Sequence, residues 1–504
     1  MVWNFSFLSY NTFIFIYNIY GGIYMFEKYI LDNKLNIIGN ICDLITFPSI
    51  SVEETNSPFP FGKDCSDCLK HFLHLANSLG FRTKNVDGYC GWAEFGEGKE
   101  LIGIVGHLDV VPAINEDWMY SPFVPTIANN CIYGRGAIDD KGPVVSTLYA
   151  MKSVMDYLNE NNILLNKRVR LIVGLNEEKD WKCIDYYKKH EEIPSLGFSP
   201  DADFPCIYAE KSVISLFLSD NISKIVYNSA KNKYSNSLIP ITIENIDCMN
   251  NAINVVPKFC SVILKINNPQ ITANIINICK NLIHKFSYEI DLYKIDSSHI
   301  KLTSYGKASH SAHPELGNNA ITKLIIVLNE LFKNLNMSFP LFQNFCTLIG
   351  DDYTGTNLNL NITDESGFLT LNTSKLYIED GKVYIGINLR VPVSKTPDEI
   401  IDTFEKAFPD QVTLGRIQPS LFIDKKSNLV QKLCGIFNET CGTDLEPIAI
   451  GGATYARAFN NFVCFGMNFP GDKDMCHQTD EFIDIDKLML ATNIYANAIY
   501  ELMK

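Results

Sequence analysis

The stretch Leu101–Pro112, LIGIVGHLDVVP, decides the fold. Its first six residues are a short apolar run of strand length, and the run ends abruptly in His107-Leu108-Asp109. A second run, Arg168–Gly174 (RVRLIVG), ends in the same way near Glu177 and Glu178. Between them, Pro143–Glu160 has helical spacing, with Pro143 at a position suited to a first turn. Strand, helix, strand, with polar residues at the strand ends, predicts an α/β sheet. Ligand sites in such sheets lie beyond the carboxyl ends of the strands.

Further along, the text changes. From about 210 to 420 it is rich in Asn, Ile and Lys, with short alternating segments such as Lys382–Arg390 (KVYIGINLR). This reads as an α+β domain inserted into the first. The C-terminus returns to helix: Leu488, Ala491, Tyr495, Ala498, Ile499 and Leu502 recur at helical spacing within Asp484–Met503. The predicted organisation is a discontinuous catalytic domain, 25–209 plus 421–504, an α/β sheet flanked by helices, with an α+β lid at 210–420.

Composition sets the outer limits. The chain has 504 residues, 46% hydrophobic and 20% charged, which is globular rather than disordered. Its net charge of −14 argues against nucleic acid or an anionic membrane as the main partner. Fifteen cysteines, an odd number without repeating spacing, do not form a secreted disulfide framework, so a reducing, cytoplasmic compartment is expected. Residues 1–24 carry no charged side chain and are interrupted by Asn4, Ser6, Ser9, Asn11, Thr12 and Asn18. They lack the basic start and clean apolar run of a signal peptide and the unbroken length of a spanning helix. They read as a poorly ordered extension, or as text upstream of a true start at Met25; a membrane tether is the rival reading.

Several carboxylates and imidazoles stand at apparent strand ends. His107 and Asp109 lie in GHLDVVP, Asp139 and Asp140 in YGRGAIDDKGP, Glu177 and Glu178 in GLNEEKDW, Asp201 in GFSPDADFP and His477 in MCHQTDEF. Such donors suit a hard-to-borderline divalent ion. Each piece alone is common in solvated loops; the order of the set is specific. It resembles the dinuclear zinc peptidase family of aminoacylases, carnosinases and carboxypeptidase G, and most closely its PepV-like bacterial dipeptidase branch. GKASHSAHPELGNNA (306–320) and the C-terminal NIYANAIYELMK belong to the same likeness, which runs from about Met25 to the end.

The resemblance implies a site. Asp139 would bridge two divalent ions, with zinc first and manganese or cobalt also suited to the donors. One ion would also take His107 and Asp201, the other Glu178 and His477. A bridging water would be acidified between them. Glu177 would be the general base and Asp109 would orient the His107 imidazole from behind. A cis peptide is implied between Asp139 and Asp140. His310 resembles the histidine that stabilises the oxyanion, Asn254 and Gly451 look like substrate contacts, and Arg390 looks like the clamp for a free carboxylate.

The implied reaction is dipeptide hydrolysis, with N-acyl-amino-acid deacylation and an idle binding protein as alternatives. The insert of about 210 residues is large enough to stand in for the neighbouring subunit of shorter dimeric relatives, so a monomer is expected.

There are departures: Asn176 precedes the two glutamates where relatives often carry Asp, Ala453 replaces a commoner glycine, and His313 is an extra histidine. Cys65, Cys68, His71 and His74 invite a second zinc reading, but steps of three on a helix fan the four side chains apart. An amphipathic helix is the expectation there.

Overall fold

The structure is a computed structural model that describes residues 25–54, 57–228, 239–248 and 252–504. Residues 1–24, and with them the extension and tether readings, lie outside it. The chain forms two compact units. The first comprises the described residues up to Tyr208, with Phe422–Ile448 and Thr454–Lys504; the second comprises Ala209–Leu421 with Ala449–Ala453. The short segment 449–453 therefore groups with the insert and not with the rest of 421–504.

In the first unit, helix α1 (Lys63–Ser78) precedes strands β1 (Arg82–Val86), β2 (Cys90–Gly96) and β3 (Glu100–His107). Helix α2 (Lys141–Glu160), β4 (Lys167–Gly174), β5 (Leu196–Ser199), β6 (Phe462–Cys464) and helix α3 (Ile485–Met503) follow. These strands lie in the order β1-β2-β4-β3-β5-β6. β1, β2 and β4 pair antiparallel, whereas β4, β3, β5 and β6 run parallel. The parallel strands are mostly apolar and, apart from their first residues, buried, as strands covered on both faces must be.

Helices α2 and α3 supply much of that cover. α2 starts at Lys141, so Pro143 sits in the first turn, where its missing N–H costs no hydrogen bond. The Asp484 carboxylate caps α3 by accepting the N–H groups of Asp486 (2.9 Å) and Lys487 (3.0 Å). Leu488, Ala491, Tyr495, Ala498, Ile499 and Leu502 are all buried. In α1, Cys65 and Cys68 are core residues beside Leu69 and Phe72, while His74 is exposed. The four side chains do not converge, so α1 is the amphipathic helix expected of it.

The second unit is α+β. One antiparallel sheet orders Thr370–Glu379, Lys382–Val391, Ser212–Asn221 and Val412–Gln418; another orders Ile241–Asp247, Phe259–Ile266, His299–Tyr305 and Ile290–Lys294. Helices including Ala320–Asn334 pack on them around a single core.

β3 and β5 approach so closely that a Cβ at Gly197 would run into the backbone carbonyl of Gly103 and the ring of Phe462. Neither backbone can give way without loosening the parallel ladder. A Gly197→Ala protein is therefore expected to lose about 1–3 kcal/mol of stability from overpacking. By contrast, a Cβ at Gly39, in the exposed interior of the helix Lys34–Ile45, meets nothing within 4 Å. Gly39→Ala should gain up to about 1 kcal/mol. Urea unfolding of the two variants beside the wild type checks both signs.

Candidate metal centre

Three neighbouring parallel strands end at one edge of the first unit's sheet. His107 is the last residue of β3 and pairs with Gly174, the last of β4. Glu177 and Glu178 follow β4 by three and four residues, and Asp201 follows β5 by two. Asp139 lies just before α2, on a loop whose peptide bond to Asp140 is cis, as the resemblance implied. His477 arrives from the C-terminal part, in a turn with φ +62°.

These side chains meet around Asp139. Its Oδ1 lies 3.0 Å from His107 Nε2, and its Oδ2 lies 3.1 Å from His477 Nε2. The two imidazoles each have a further carboxylate: Asp201 Oδ2 is 3.5 Å from His107 Nε2, and Glu178 Oε1 is 2.9 Å from His477 Nε2. One carboxylate thus divides its two oxygens between two donor sets. The five residues that the resemblance implies as ligands, His107, Asp139, Glu178, Asp201 and His477, lie together here, with Asp140 beside them.

The arrangement fits divalent ions. His107 Nε2 is buried and makes no hydrogen bond, despite the oxygens beside it. A ring nitrogen flanked by carboxylate oxygens to which it does not donate is placed to share a cation with them. Donor atoms of His107, Asp139 and Glu178 lie mutually within 4.8 Å, as do those of His107, Asp140 and Asp201.

The electrostatics agree. Burial pulls the His107 pKa down, but the Asp109, Asp139 and Asp201 carboxylates outweigh it and hold it well above the ordinary imidazole value. Burial is likewise outweighed at His477, where Asp139 and Glu178 push the pKa up to about 11. Burial raises the Asp139 carboxyl, but His107 and His477 together bring it far below its usual range. So dense a set of carboxylates demands compact positive charge.

Glu177 stands apart. It belongs to neither of the close donor sets found among the described residues. Its N–H donates to Asp109 Oδ1 (3.0 Å), and its carbonyl accepts from Trp181 Nε1 (2.8 Å). Burial raises its carboxyl well above the ordinary range; His107 opposes this, and the Glu178, Asp201 and Asp109 charges add to it. A carboxylate beside the donor cluster, with its proton affinity raised by burial and by neighbouring carboxylates, suits proton transfer.

Asp109 works differently from the expectation. β3 ends at His107, so Asp109 lies two residues beyond the strand. It is the Asp109 backbone carbonyl that holds His107 Nδ1, at 2.8 Å; the carboxylate is 3.6 Å away. That carboxylate instead accepts the N–H groups of Glu177 and Glu178 (3.1 Å) and so fixes the loop that carries both. Asp140, which sequence reasoning left without a role, accepts the His107 N–H through Oδ2 (2.9 Å).

The Asn176 departure also has a local reason. Its amide donates to Ser51 Oγ (2.9 Å) while its Oδ1 accepts the Lys182 N–H (3.2 Å). A carboxylate could only accept.

The remaining predicted residues belong to the second unit. The Ser311 N–H donates to the Asn254 carbonyl (2.9 Å), and Val255 bridges to His310, so Asn254 and His310 are neighbours. His310 is exposed, and its Nδ1 accepts the Ala312 N–H (3.2 Å). Arg390, paired across its sheet with Val213 and Thr370, is buried and donates through Nη1 to the Gly451 carbonyl (2.9 Å). Gly451 is packed so near Ala312 that a Cβ would come within 2.8 Å of the alanine Cβ. His313 is exposed and pairs with Glu315 (3.1 Å). Among the described residues no helix is long and apolar enough to cross a membrane.

Comparison with known proteins gives this geometry its context. Over 487 residues the chain is 35% identical to a Bacillus subtilis (strain 168) protein named "Putative dipeptidase YtjP", covering 95% of this chain and 99% of that one. Its fold is similar to that of the dipeptidase Dug1p from Saccharomyces cerevisiae, with a TM-score of 0.56, 14% identity and coverage of 96% and 98%. Human carnosine dipeptidase 1 is similar too, with a TM-score of 0.54, 14% identity and coverage of 95% and 98%. The model of peptidase family M20/M25/M40 matches residues 103–501, and the chain belongs to that family as a metallopeptidase.

Proposed function

We propose that the protein is a dipeptidase that hydrolyses dipeptides with a free amino terminus and depends on two divalent ions, zinc first among them. The observation that carries this reading is the division of the Asp139 carboxylate between His107 with Asp201 and His477 with Glu178, with Glu177 left outside both sets. When bound, such ions polarise the scissile carbonyl and acidify a water.

The chain's own residues do the rest. Glu177 takes the proton of the attacking water and passes it to the leaving amine. His310 donates to the developing oxyanion, a contribution typically worth about 3 kcal/mol. Arg390 reads the substrate's free carboxylate, with Asn254 and the Gly451 backbone as further contacts; a planar bidentate donor suits that task. Asp109 and Asp140 hold the Glu177–Glu178 loop and the His107 backbone in place. The net charge of −14 and the bury-and-pair chemistry of the site favour a small soluble substrate over nucleic acid or membrane. We further assign the chain as a cytoplasmic monomer.

One paired assay tests the substrate class. Free dipeptides are run beside the same peptides acetylated at the amino end, with and without chelator. Chelator-sensitive cleavage of the free set alone is expected. Preference for the acetylated set would make the protein a deacylase, and turnover of neither would leave an idle binder.

Glu177→Ala should lower kcat by about 10²–10⁴-fold while metal uptake persists; unchanged turnover would refute its role. Arg390→Lys should raise KM with less effect on kcat, measured on the same peptides. Metal linkage can be read without activity: zinc should raise the melting temperature of the chelator-stripped wild type, because an ion bound only by the folded state stabilises it. Asp139→Asn should lose most of that rise in the same scan.

A further inference from the structure

Glu481 lies four residues after His477 and is fully buried, yet belongs to neither close donor set. All of its acceptor capacity is directed at the segment that ends in Asp139. Oε1 accepts the N–H groups of Ile138 (2.9 Å), Gly136 (3.0 Å) and Asp139 (3.2 Å). Oε2 accepts from Gly136 (3.1 Å) and from Arg135 Nη1 (2.7 Å). Its backbone carbonyl takes the Gly134 N–H (3.0 Å).

Arg135 extends the link. Its Nη2 donates to the His477 carbonyl (3.4 Å), and its guanidinium lies over the Trp118 ring, 5.0 Å from the centroid. One carboxylate and one guanidinium therefore join the Asp139 loop to the His477 turn. That turn needs holding: His477 and Asp480 both adopt left-handed backbone, with φ of +62° and +58°.

A buried ion pair is a poor way to gain stability, because desolvation offsets most of its attraction. What it supplies is geometry. Metal coordination tolerates deviations of only about 0.2 Å. Outer hydrogen-bond partners of ligands accordingly tune affinity.

We propose that Glu481, acting with Arg135, is the positioning residue that sets the separation of Asp139 and His477, and so the affinity of the ion they share. This rests on reading Asp139 and His477 as metal ligands.

The test is calorimetric titration of zinc into chelator-stripped wild type, Glu481→Gln and Arg135→Lys, with steady-state kinetics on a free dipeptide. Glutamine keeps the shape and one acceptor, but turns an amide NH₂ toward the arginine. Glu481→Gln should bind the shared ion about 10- to 100-fold more weakly. Its kcat should fall at limiting zinc and recover at high zinc, with KM for the peptide unchanged. A merely structural defect would not be rescued by metal.

Arg135→Lys keeps the charge but cannot reach both partners with one ammonium. It should show a smaller loss in the same direction, and it decides the matter alone if Glu481→Gln does not fold. Wild-type affinity in the folded variants overturns the proposal while leaving the metal reading intact. A wild type that takes up no zinc refutes the metal reading itself, and the proposal with it.

Discussion

Asp139 faces an imidazole with each of its oxygens, His107 at 3.0 Å and His477 at 3.1 Å. Each imidazole has a second carboxylate beside it, and a third kind of carboxylate, Glu177, lies just outside. Like charges at such spacing repel by several kcal/mol unless cations lie between them. The site is therefore a concentration of negative charge that the fold must hold together against its own electrostatics. Most of the first unit's local structure serves that requirement.

The holding is done largely by backbone groups. The ends of three adjacent parallel strands deliver His107, the Glu177–Glu178 loop and Asp201 to one edge. The Asp109 carbonyl orients the His107 ring, the Asp109 carboxylate grips the glutamate loop, and Asp140 grips the His107 N–H. Glu481 does the same for the Asp139 loop. Each of these carboxylates neutralises part of its burial cost by accepting N–H groups. The sheet can serve as such a rigid frame because glycine at 103 and 197 lets β3 and β5 lie against each other and against Phe462.

The parts legible in the sequence were those written in side-chain type and period. Apolar runs ending in His-x-Asp and Glu-Glu marked β3 and β4 because parallel strands are buried on both faces. The spacing of Leu488, Ala491, Tyr495 and Leu502 marked α3 because one face of that helix is core. The convergence of His107, Asp139, Glu178, Asp201 and His477 was readable only as a set, through resemblance, since residues so distant in sequence carry no local signal of proximity.

What was illegible depends on atoms that residue names do not reveal. The sequence could not show that Asp109 holds the His107 ring through its carbonyl while its carboxylate also grips the glutamate loop. Glu481 and Arg135 sat in quoted motifs, but their role lies in hydrogen bonds to a loop more than 300 residues away. A buried Arg–Glu pair flanking two candidate ligands is the signal that could have found them. Residues 449–453 join the second unit through backbone bonds, such as Lys211 N–H to the Ile450 carbonyl (3.1 Å), which no composition shift announces.

The central claim is that Asp139 is shared between two ions. Anomalous diffraction at the zinc edge from crystals of zinc-loaded protein tests it most directly. The account predicts two peaks, one at each Asp139 oxygen, the first also bound by His107 and Asp201 and the second by Glu178 and His477. A single peak, or peaks that do not share Asp139, would contradict it.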